Sequence, residues 1–316
     1  MTTQLSTQPF DQAKSEVFAE NLLATLNSGA LSLMISIGHR TELFDTLADL
    51  PPATSPQIAE AAGLNERYVR EWLGAMVTGR VVDYNPADKT YRLPAEHAAF
   101  LTRAAASDNI AVFAQYIPLL GAVEDQIIDC FYKGGGVPYS AYKRFHAVMA
   151  EDSGQSVVSA LFDHVLPLVP GLIEDLERGI DVLDVGCGSG RALIRMGQAY
   201  PNSRFTGYDF SAEAIAIANA EAQRHHLSNI QFQVQDAAQI EEGDRYDLIT
   251  TFDAIHDQAR PDIVLRNIRQ ALRPTGIYLM QDIHASTDVG GNLEQGACHL
   301  LERKLEQVVE VSTAVG

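Results

Sequence analysis

The sequence is poor in cysteine and has no long apolar run. Its 316 residues include three cysteines, Cys130, Cys187 and Cys298, and no C-x-x-C pair, which excludes a disulfide framework and a zinc-cysteine cluster. No metal site is therefore predicted. No apolar run approaches the ~20 residues of a membrane span, and the polar start, Met1 to Gln8, has no signal-peptide pattern. These absences predict a cytoplasmic protein with no membrane partner.

Basic residues are also scarce. The chain has 23 Lys and Arg against 41 Asp and Glu, a formal charge of -18. Such an acidic surface repels nucleic acid and anionic membranes, so a small-molecule substrate is favoured over a polyanion. A length of 316 residues with 46% hydrophobic content predicts about two globular domains with ordinary cores.

The most informative feature that is present is a glycine-rich loop after an apolar strand, at residues 180–191. The strand ends in Asp184, and Gly186, Gly188 and Gly190 then allow a tight turn and close approach to a ligand before a helix begins. Dinucleotide folds use G-x-G-x-x-G at this place, but here the last position is Arg191. An acid before the first glycine would repel phosphate, and it suits a cationic ligand better.

Four further segments have strand patterns, and they alternate with helices such as the one predicted at 262–272. They are residues 204–209, 230–237, 246–257 and 276–282. Strand and helix units in series predict an α/β fold, a doubly wound parallel sheet with its site at the carboxyl ends of the strands.

The pattern D-x-G-x-G-x-G, together with the strands that follow, resembles motif I of the class I S-adenosylmethionine (SAM) methyltransferases. The resemblance implies a Rossmann-like sheet with SAM as cofactor. It implies that Asp209 holds the ribose and that Asp236 faces the adenine, although Asp209 also fits an NAD site and Asp236 an ordinary helix N-cap. Phe210 and Phe252 either flank the adenine or belong to the core. The residues assigned to the cofactor are Asp184, Gly186, Gly188, Gly190, Asp209, Phe210, Asp236, Ala237 and Phe252.

A second unit precedes the loop. Residues 10–27 form an amphipathic helix, 54–64 a capped helix and turn, 65–76 another helix, and 81–93 a β-hairpin, which together predict a winged helix-turn-helix. Many such modules bind DNA. Residues 1–100, however, carry seven Lys and Arg against twelve Asp and Glu, which supplies few phosphate contacts.

In the predicted DNA-reading helix, Arg67 and Arg70 are matched by glutamates, and we expect them to be solvated ion-pair partners. Trp72 is expected in the core. DNA binding stays open as the less favoured alternative.

This order of parts resembles bacterial, dimeric small-molecule O-methyltransferases with an N-terminal winged helix. The resemblance implies a homodimer formed through the first domain. It divides the chain into the winged-helix domain (1–100), a helical connector or substrate lid (101–178), the SAM-binding core (179–290) and an atypical helical tail (291–316).

His256 and Asp257 follow the fourth strand of the sheet, where plant-type O-methyltransferases carry a catalytic His-Asp pair. An imidazole is a suitable base for a phenol or enol, so the resemblance implies methyl transfer to oxygen with His256 as base. Asp257 would orient His256 or cap the next helix. The alternative for His256 is a pocket-wall or capping role.

The connector and the tail leave two questions open. Residues 139–146 after the Gly134 to Pro138 break either line a substrate cavity, clasp the methionine carboxylate, or pack as a loop on their own aromatics. The pattern of the tail predicts a polar loop from Ser286 to Asn292 and a helix from Leu293 to Val311, and it has no signal for two strands. The chain would then be truncated, alternatively terminated or naturally short. The sheet edge would then be unpaired or covered by that helix. A SAM-binding protein with reduced or regulatory activity is therefore a second candidate function.

Overall fold

The computed structural model describes residues 9–283, 289–294 and 307–313. It divides into two compact units, Met1–Lys143 and Arg144–Gly316. The division falls inside the predicted connector of 101–178, so the two parts of that segment belong to different units.

The first unit is helical with one small hairpin. Its elements are α1 (Gln12–Arg40), α2 (Leu43–Asp49), α3 (Ser55–Ala62), α4 (Glu66–Thr78), β1 (Asp83–Asn85), β2 (Thr90–Arg92), α5 (Ala95–Leu101), α6 (Tyr116–Gly121), α7 (Glu124–Lys133) and short 3-10 segments at Arg103–Asp108, Ile110–Gln115 and Tyr139–Ala141. Strands β1 and β2 pair antiparallel. The predicted helix, turn, helix and hairpin are all present.

Local sequence explains where the two central helices begin and end. The backbone N–H of Thr54, before α3, donates to Gln57 Oε1 at 2.9 Å. Gly63 ends α3 in the left-handed conformation, with φ 65°. Asn65 caps α4 by accepting the N–H of Arg67 at 3.1 Å.

The side chains of α4 behave as the sequence predicts. Trp72 is buried, and its indole N–H donates to the carbonyl of Met34 at 2.8 Å. Arg67 pairs with Glu71 at 3.0 Å, and Arg70 approaches Glu66 at 3.8 Å. The two arginines are thus exposed partners of glutamates on their own helix.

Helix α1 is longer than the predicted 10–27 segment. Its buried residues are Ser36, Gly38 and His39, whereas large apolar residues of its first half are exposed. By length and composition α1 is apolar enough to cross a membrane, contrary to the expectation that no run approaches this length. Scattered serines and asparagines interrupt the apolar residues of 21–38, although no charged residue does, so the sequence shows no continuous apolar run here.

The second unit contains a sheet with helices on both faces. Its strands are β3 (Asp181–Val185), β4 (Arg204–Asp209), β5 (Ile230–Val234), β6 (Tyr246–Phe252), β7 (Leu272–Ile283) and β8 (Gln307–Thr313). Its helices are α8 (Phe145–Gln155), α9 (Val157–Ala160), α10 (Leu172–Arg178), α11 (Arg191–Ala199), α12 (Ala212–Arg224), α13 (Pro261–Ala271) and α14 (Val289–Glu294), with a π-turn at Leu161–Val165 and 3-10 turns at Leu166–Leu168 and Ala237–Gln239.

The sheet confirms the predicted doubly wound architecture. Its order is β5-β4-β3-β6-β7-β8, and the first five strands are parallel. Successive residues of β3 point to opposite faces of the sheet, so Val182 packs in one hydrophobic cluster and Leu183 in the other. The order reverses direction between β3 and β6, where ligands bind in open α/β sheets.

The tail corrects the sequence prediction. Residues 307–313 form β8, which pairs antiparallel with β7 from Ile277↔Thr313 to Ile283↔Gln307. The predicted helix is therefore wrong over 307–311, and the edge of β7 is paired. The helical spacing was extended through Val308, Val309 and Val311, but β-branched residues favour strands. The predicted polar loop is wrong over 289–292, where α14 lies. Its residues 286–288 lie outside the described residues, and so does the predicted helix over 295–306.

Candidate cofactor and active site

The three glycines of the loop between β3 and α11 all have left-handed backbones, with φ of 78° at Gly186, 52° at Gly188 and 73° at Gly190. A Cβ on Gly186 would lie 2.6 Å from Ala254 Cβ, and one on Gly190 would lie 2.4 Å from a ring carbon of Phe232. At Gly188 no heavy atom of the described residues, chain neighbours apart, lies within 4 Å of that position. Packing thus explains the first and third glycines, whereas the position beside the second is open.

Asp209, at the end of β4, is held by backbone N–H groups on both sides. Its Oδ2 accepts the N–H of Gly188 at 2.9 Å, and its Oδ1 accepts the N–H of Ser211 at 2.8 Å. Each carboxylate oxygen can accept more than one hydrogen bond. A carboxylate fixed in this way, beside the open position at Gly188, is suited to accept the hydroxyl groups of a ribose.

Asp184 lies beneath the loop rather than at its surface. It is 3% exposed, and its Oδ1 accepts the hydroxyl of Thr250 at 2.8 Å. Desolvation by burial raises the pKa of Asp184 to about 7, against the opposing effect of the Thr250 hydrogen bond. Burial also raises the pKa of the Cys187 thiol, which disfavours a reactive thiolate.

The residues predicted at the adenine have mixed surroundings. Asp236 caps the short turn after β5, where its Oδ1 accepts the N–H of Ala238 at 2.9 Å, so the N-cap alternative is present. Ala237 is buried. Phe252 packs half-buried against the core, whereas Phe210 is 57% exposed. Contacts of these residues with adenine stay a prediction.

His256 is held by an acid that the sequence analysis did not assign. Its Nδ1 lies 2.5 Å from Asp282 Oδ1, while Asp282 Oδ2 accepts the backbone N–H groups of Ile255 and His256 at 3.2 and 3.3 Å. Asp257 approaches the other ring nitrogen, Nε2, at 3.5 Å. The N-cap of the next helix, α13, is Arg260. The acid on Nδ1 is therefore Asp282 and not Asp257.

The protonation of His256 follows from these neighbours. The hydrogen bond that His256 donates to Asp282 raises the pKa of His256, desolvation opposes this, and the charge of Asp257 adds to the increase. An Nδ1–H that donates to a carboxylate fixes the tautomer in which Nε2 has the lone pair. The arrangement is that of a general base with an orienting acid.

One signal in the sequence would have identified Asp282. It is the last residue but one of β7, as Asp209 is the last residue of β4, and the carboxyl ends of parallel strands lie on the same side of the sheet. The resemblance implied roles for Asp209 and Asp236 after the earlier strands, and no role was predicted for Asp282 near the end of the fifth.

The amino ends of the strands, on the side of the sheet opposite the glycine loop, have a separate charge cluster. Asp181 bonds Arg204 Nε at 2.7 Å and Arg273 Nη2 at 3.0 Å, and Asp247 also pairs with Arg273. Hydrogen bonding from Arg204, then from Arg273, lowers the pKa of Asp181 against an opposing desolvation effect. These residues lie at the amino ends of the strands, so they connect strands rather than form part of the site. Within the described ranges no three His, Cys, Asp or Glu side chains are grouped to hold a metal ion.

Comparison with known families identifies both parts of the chain. Residues 29–103 match an Rv2258c-like winged HTH domain. Residues 176–312, which contain the glycine loop, Asp209 and the His256–Asp282 pair, match a methyltransferase domain. They form a class I SAM-dependent methyltransferase domain. The predicted cofactor, SAM, and the predicted winged helix are thereby confirmed.

Curated relatives of the methyltransferase domain differ in the atom that their names say is methylated. A malonyl-[acyl-carrier protein] O-methyltransferase of Bacillus cereus is 28% identical over 49% of this chain and 55% of its own length. An (S)-coclaurine N-methyltransferase of Thalictrum flavum is 27% identical over 34% of this chain and 30% of its own length. The chain thus spans about half or less of the length of these relatives.

Solved structures show that the fold extends over both units. The mitomycin 7-O-methyltransferase MmcR has a TM-score of 0.65 at 17% identity, covering 96% of this chain and 100% of its own. Human N-acetylserotonin methyltransferase, solved with SAM, has a TM-score of 0.60 at 18% identity, covering 94% and 85%. At these identities the likeness is one of fold.

Proposed function

We propose that this protein transfers the methyl group of SAM to an oxygen atom, a phenol or enol, of a small molecule. The observation that carries the proposal is the His256–Asp282 pair at the carboxyl edge of the sheet. The chain before His256 lies against the glycine loop, because a Cβ on Gly186 would lie 2.6 Å from that of Ala254. The same edge thus holds the cofactor loop and a side chain with the chemistry of a base.

SAM supplies a methyl group that its sulfonium already makes electrophilic. The residues that would hold it are Gly186, Gly188 and Gly190 in the loop and Asp209 at the ribose. The open space above Gly188 and the fixed carboxylate of Asp209 support this assignment. Asp184, buried below the loop, would favour a cationic ligand by becoming ionised when that ligand binds.

His256 would accept the proton of the acceptor hydroxyl at Nε2. Its Nδ1–H stays hydrogen-bonded to Asp282, which stabilises the imidazolium that forms. Bound SAM would supply the methyl group to the acceptor oxygen, and its sulfonium would serve as the leaving group by keeping the electron pair of the carbon–sulfur bond. An oxygen acid with a pKa near that of the base gains most from this arrangement.

The first unit would form a homodimer in the cytoplasm. In α1 the large apolar side chains Val17, Phe18, Leu22, Leu23 and Leu26 are exposed, and a monomer seldom leaves such a cluster uncovered. A Leu22→Glu substitution should give a monomer by light scattering. If the wild-type chain is a monomer that sediments with anionic or neutral lipid vesicles, the helix binds membranes and the dimer proposal is wrong.

Two experiments test the function. Isothermal titration with SAM and S-adenosylhomocysteine (SAH) should show binding, and absence of binding would overturn the proposal. A tritiated-methyl screen against phenols, quinol precursors and polyketide-like enols should then show turnover. Binding without turnover across that set would favour the SAM-binding, regulatory alternative.

A further inference from the structure

Helix α8 presents three positions, four residues apart, to the edge of the sheet where the cofactor loop lies. They are His146, Ala150 and Gly154, and residues at this spacing share one face of a helix. Two side chains from that edge, Ser211 and Arg191, contact this face. Ser211 follows Asp209 by two residues, and Arg191 directly follows Gly190.

The first contact joins the start of α8 to the start of α12. His146 Nε2 lies 3.0 Å from Ser211 Oγ. The same Oγ accepts the N–H of Ala214 at 3.2 Å and so caps α12. Since this bond uses a lone pair of Oγ, the hydroxyl proton of Ser211 can be donated to a neutral His146 ring.

The second contact joins the middle of α8 to the start of α11. Arg191 Nη1 donates to the carbonyl of Ala150 at 2.6 Å. The same Nη1 would lie 2.8 Å from a Cβ on Gly154, so the glycine leaves room for the guanidinium. A cation in the first turn of α11 is unfavourable with respect to that helix's dipole. The side chain is therefore placed against the local electrostatic preference, and its contact is with α8.

Hydrogen bonds continue from α8 into the predicted ribose site. Ser211, which meets His146 through its hydroxyl, donates its backbone N–H to Asp209 Oδ1 at 2.8 Å. The other oxygen of Asp209 accepts the N–H of Gly188 at 2.9 Å. The chain His146, Ser211, Asp209, Gly188 thus connects α8 to both the acid and the open position of the glycine loop.

We propose that His146 and Arg191 are positioning residues that hold α8 across the cofactor loop, and that His146 acts through Ser211 on Asp209. This inference rests on the proposed cofactor site. Cofactor binding and the ordering of α8 are then coupled, because the same hydrogen bonds orient Asp209 and fasten the helix.

The first test is the dissociation constant of SAH, measured by isothermal titration. His146→Ala and Arg191→Ala should each weaken binding roughly two- to tenfold, the range for loss of one hydrogen bond. His146→Gln, whose amide oxygen can accept the Ser211 hydroxyl proton as Nε2 does, should restore most of the affinity. The matched control is His164→Ala, an exposed histidine of the same unit, which should bind as the wild type does.

The free energy of unfolding separates positioning from a merely structural role. Removing Arg191 relieves the unfavourable charge at the start of α11. Arg191→Ala should therefore lower the free energy of unfolding of the SAH-free protein by less than it lowers the binding free energy of SAH. Equal affinity of His146→Ala, Arg191→Ala and wild type would overturn the proposal.

A double-mutant cycle tests the path through Ser211. His146→Ala should have little further effect on SAH affinity in a Ser211→Ala background, because the shared contact is already lost. Fully additive effects would overturn this part of the proposal. Hydrogen exchange of amides 147–155 should slow on SAH binding in the wild type and slow less in His146→Ala.

The affinity of the wild-type chain for SAH distinguishes failure of the proposed function from failure of the role of α8. A wild-type chain that does not bind SAH refutes the proposed function itself. A wild-type chain that binds SAH, with no exchange protection in α8 and no loss in the two variants, refutes only the role of His146 and Arg191.

Discussion

Substitution of Asp282 by Asn tests the active-site proposal most directly. The substitution keeps the shape of the side chain and an oxygen that accepts the Nδ1–H of His256, but it removes the negative charge. Asp282 is the largest cause of the raised pKa of His256. The variant histidine should therefore titrate at lower pH, and it should be a weaker base.

The sign of the pH effect follows from the form of His256 that reacts. A base must be neutral, so kcat should rise with pH through the pKa of His256 and level off above it. In Asp282→Asn the rising limb should move to lower pH while the plateau falls. The ratio of wild-type to variant rates should thus be largest at high pH and shrink on the acid side.

The magnitude follows from the hydrogen bond of 2.5 Å. A bond to a charged partner contributes about 1.5–3 kcal/mol. The His256 side chain is 36% exposed, so solvent screening reduces this to ~1–2 kcal/mol. A barrier raised by that amount lowers the plateau about 5- to 30-fold. His256→Ala should lose about 10²- to 10⁴-fold, the usual range for a general base.

The assay is methyl transfer from tritiated SAM at saturating cofactor, followed across the pH range with the best acceptor from the screen. Asp262→Asn, which removes an exposed charge paired with Arg260, is the matched control and should keep the wild-type profile. Histidine titration by NMR gives the direction of the pKa change without an acceptor. An unchanged kcat and an unmoved rising limb in Asp282→Asn would refute the role of the pair.

Three further predictions concern stability. The pKa of Asp184 in the folded protein is about 7, well above its value in the unfolded chain. Between about pH 4 and about pH 7 the folded protein therefore keeps a proton that the unfolded chain loses, and the free energy of unfolding falls as pH rises. Asp184→Asn should thus gain stability relative to wild type between about pH 5 and about pH 8 in urea titrations; a constant difference would contradict this. Gly190→Ala places a Cβ 2.4 Å from a ring carbon of Phe232 at φ 73°, and it should lower the free energy of unfolding by about 2–5 kcal/mol. A loss below ~1 kcal/mol would show that the ring moves aside. Because the pKa of Asp181 is lowered in the folded protein, its ionised carboxylate stabilises the fold above about pH 4, and this stabilisation is lost as pH falls. Asp181→Asn should accordingly cost ~1 kcal/mol at neutral pH and less near pH 3, since its pairs with arginines such as Arg273 are partly exposed; an equal cost at both pH values would contradict the charge argument.

Much of the fold could be predicted because its signals are local. The five parallel strands were predicted from short apolar runs that end in an acid or a glycine turn, and the structure has all of them. The capped helices α3 and α4 were likewise predicted from Thr54, Gly63 and Asn65, whose effects reach only a few residues. The helix predicted for the tail was wrong over 307–311, since a helical spacing was extended over valines, whose local preference is for a strand.

The candidate site was predicted only in part. The glycines and Asp209 follow a pattern within one or two strands, so the sequence indicates them. Asp282 and His256 are 26 residues apart, and His146 and Ser211 are 65 apart. Nothing in the local pattern states that these side chains meet.

The sequence by itself determined the class of sheet, the glycine loop and the cofactor, because backbone conformation at glycine and apolar periodicity are properties of neighbouring residues. Only the tertiary structure decided which acid orients His256, that the edge of β7 is paired with β8, and that α8 is fastened to the cofactor edge. These depend on strand order, which brings the carboxyl ends of distant strands together. They also depend on long-range pairings, which form only when the chain is folded.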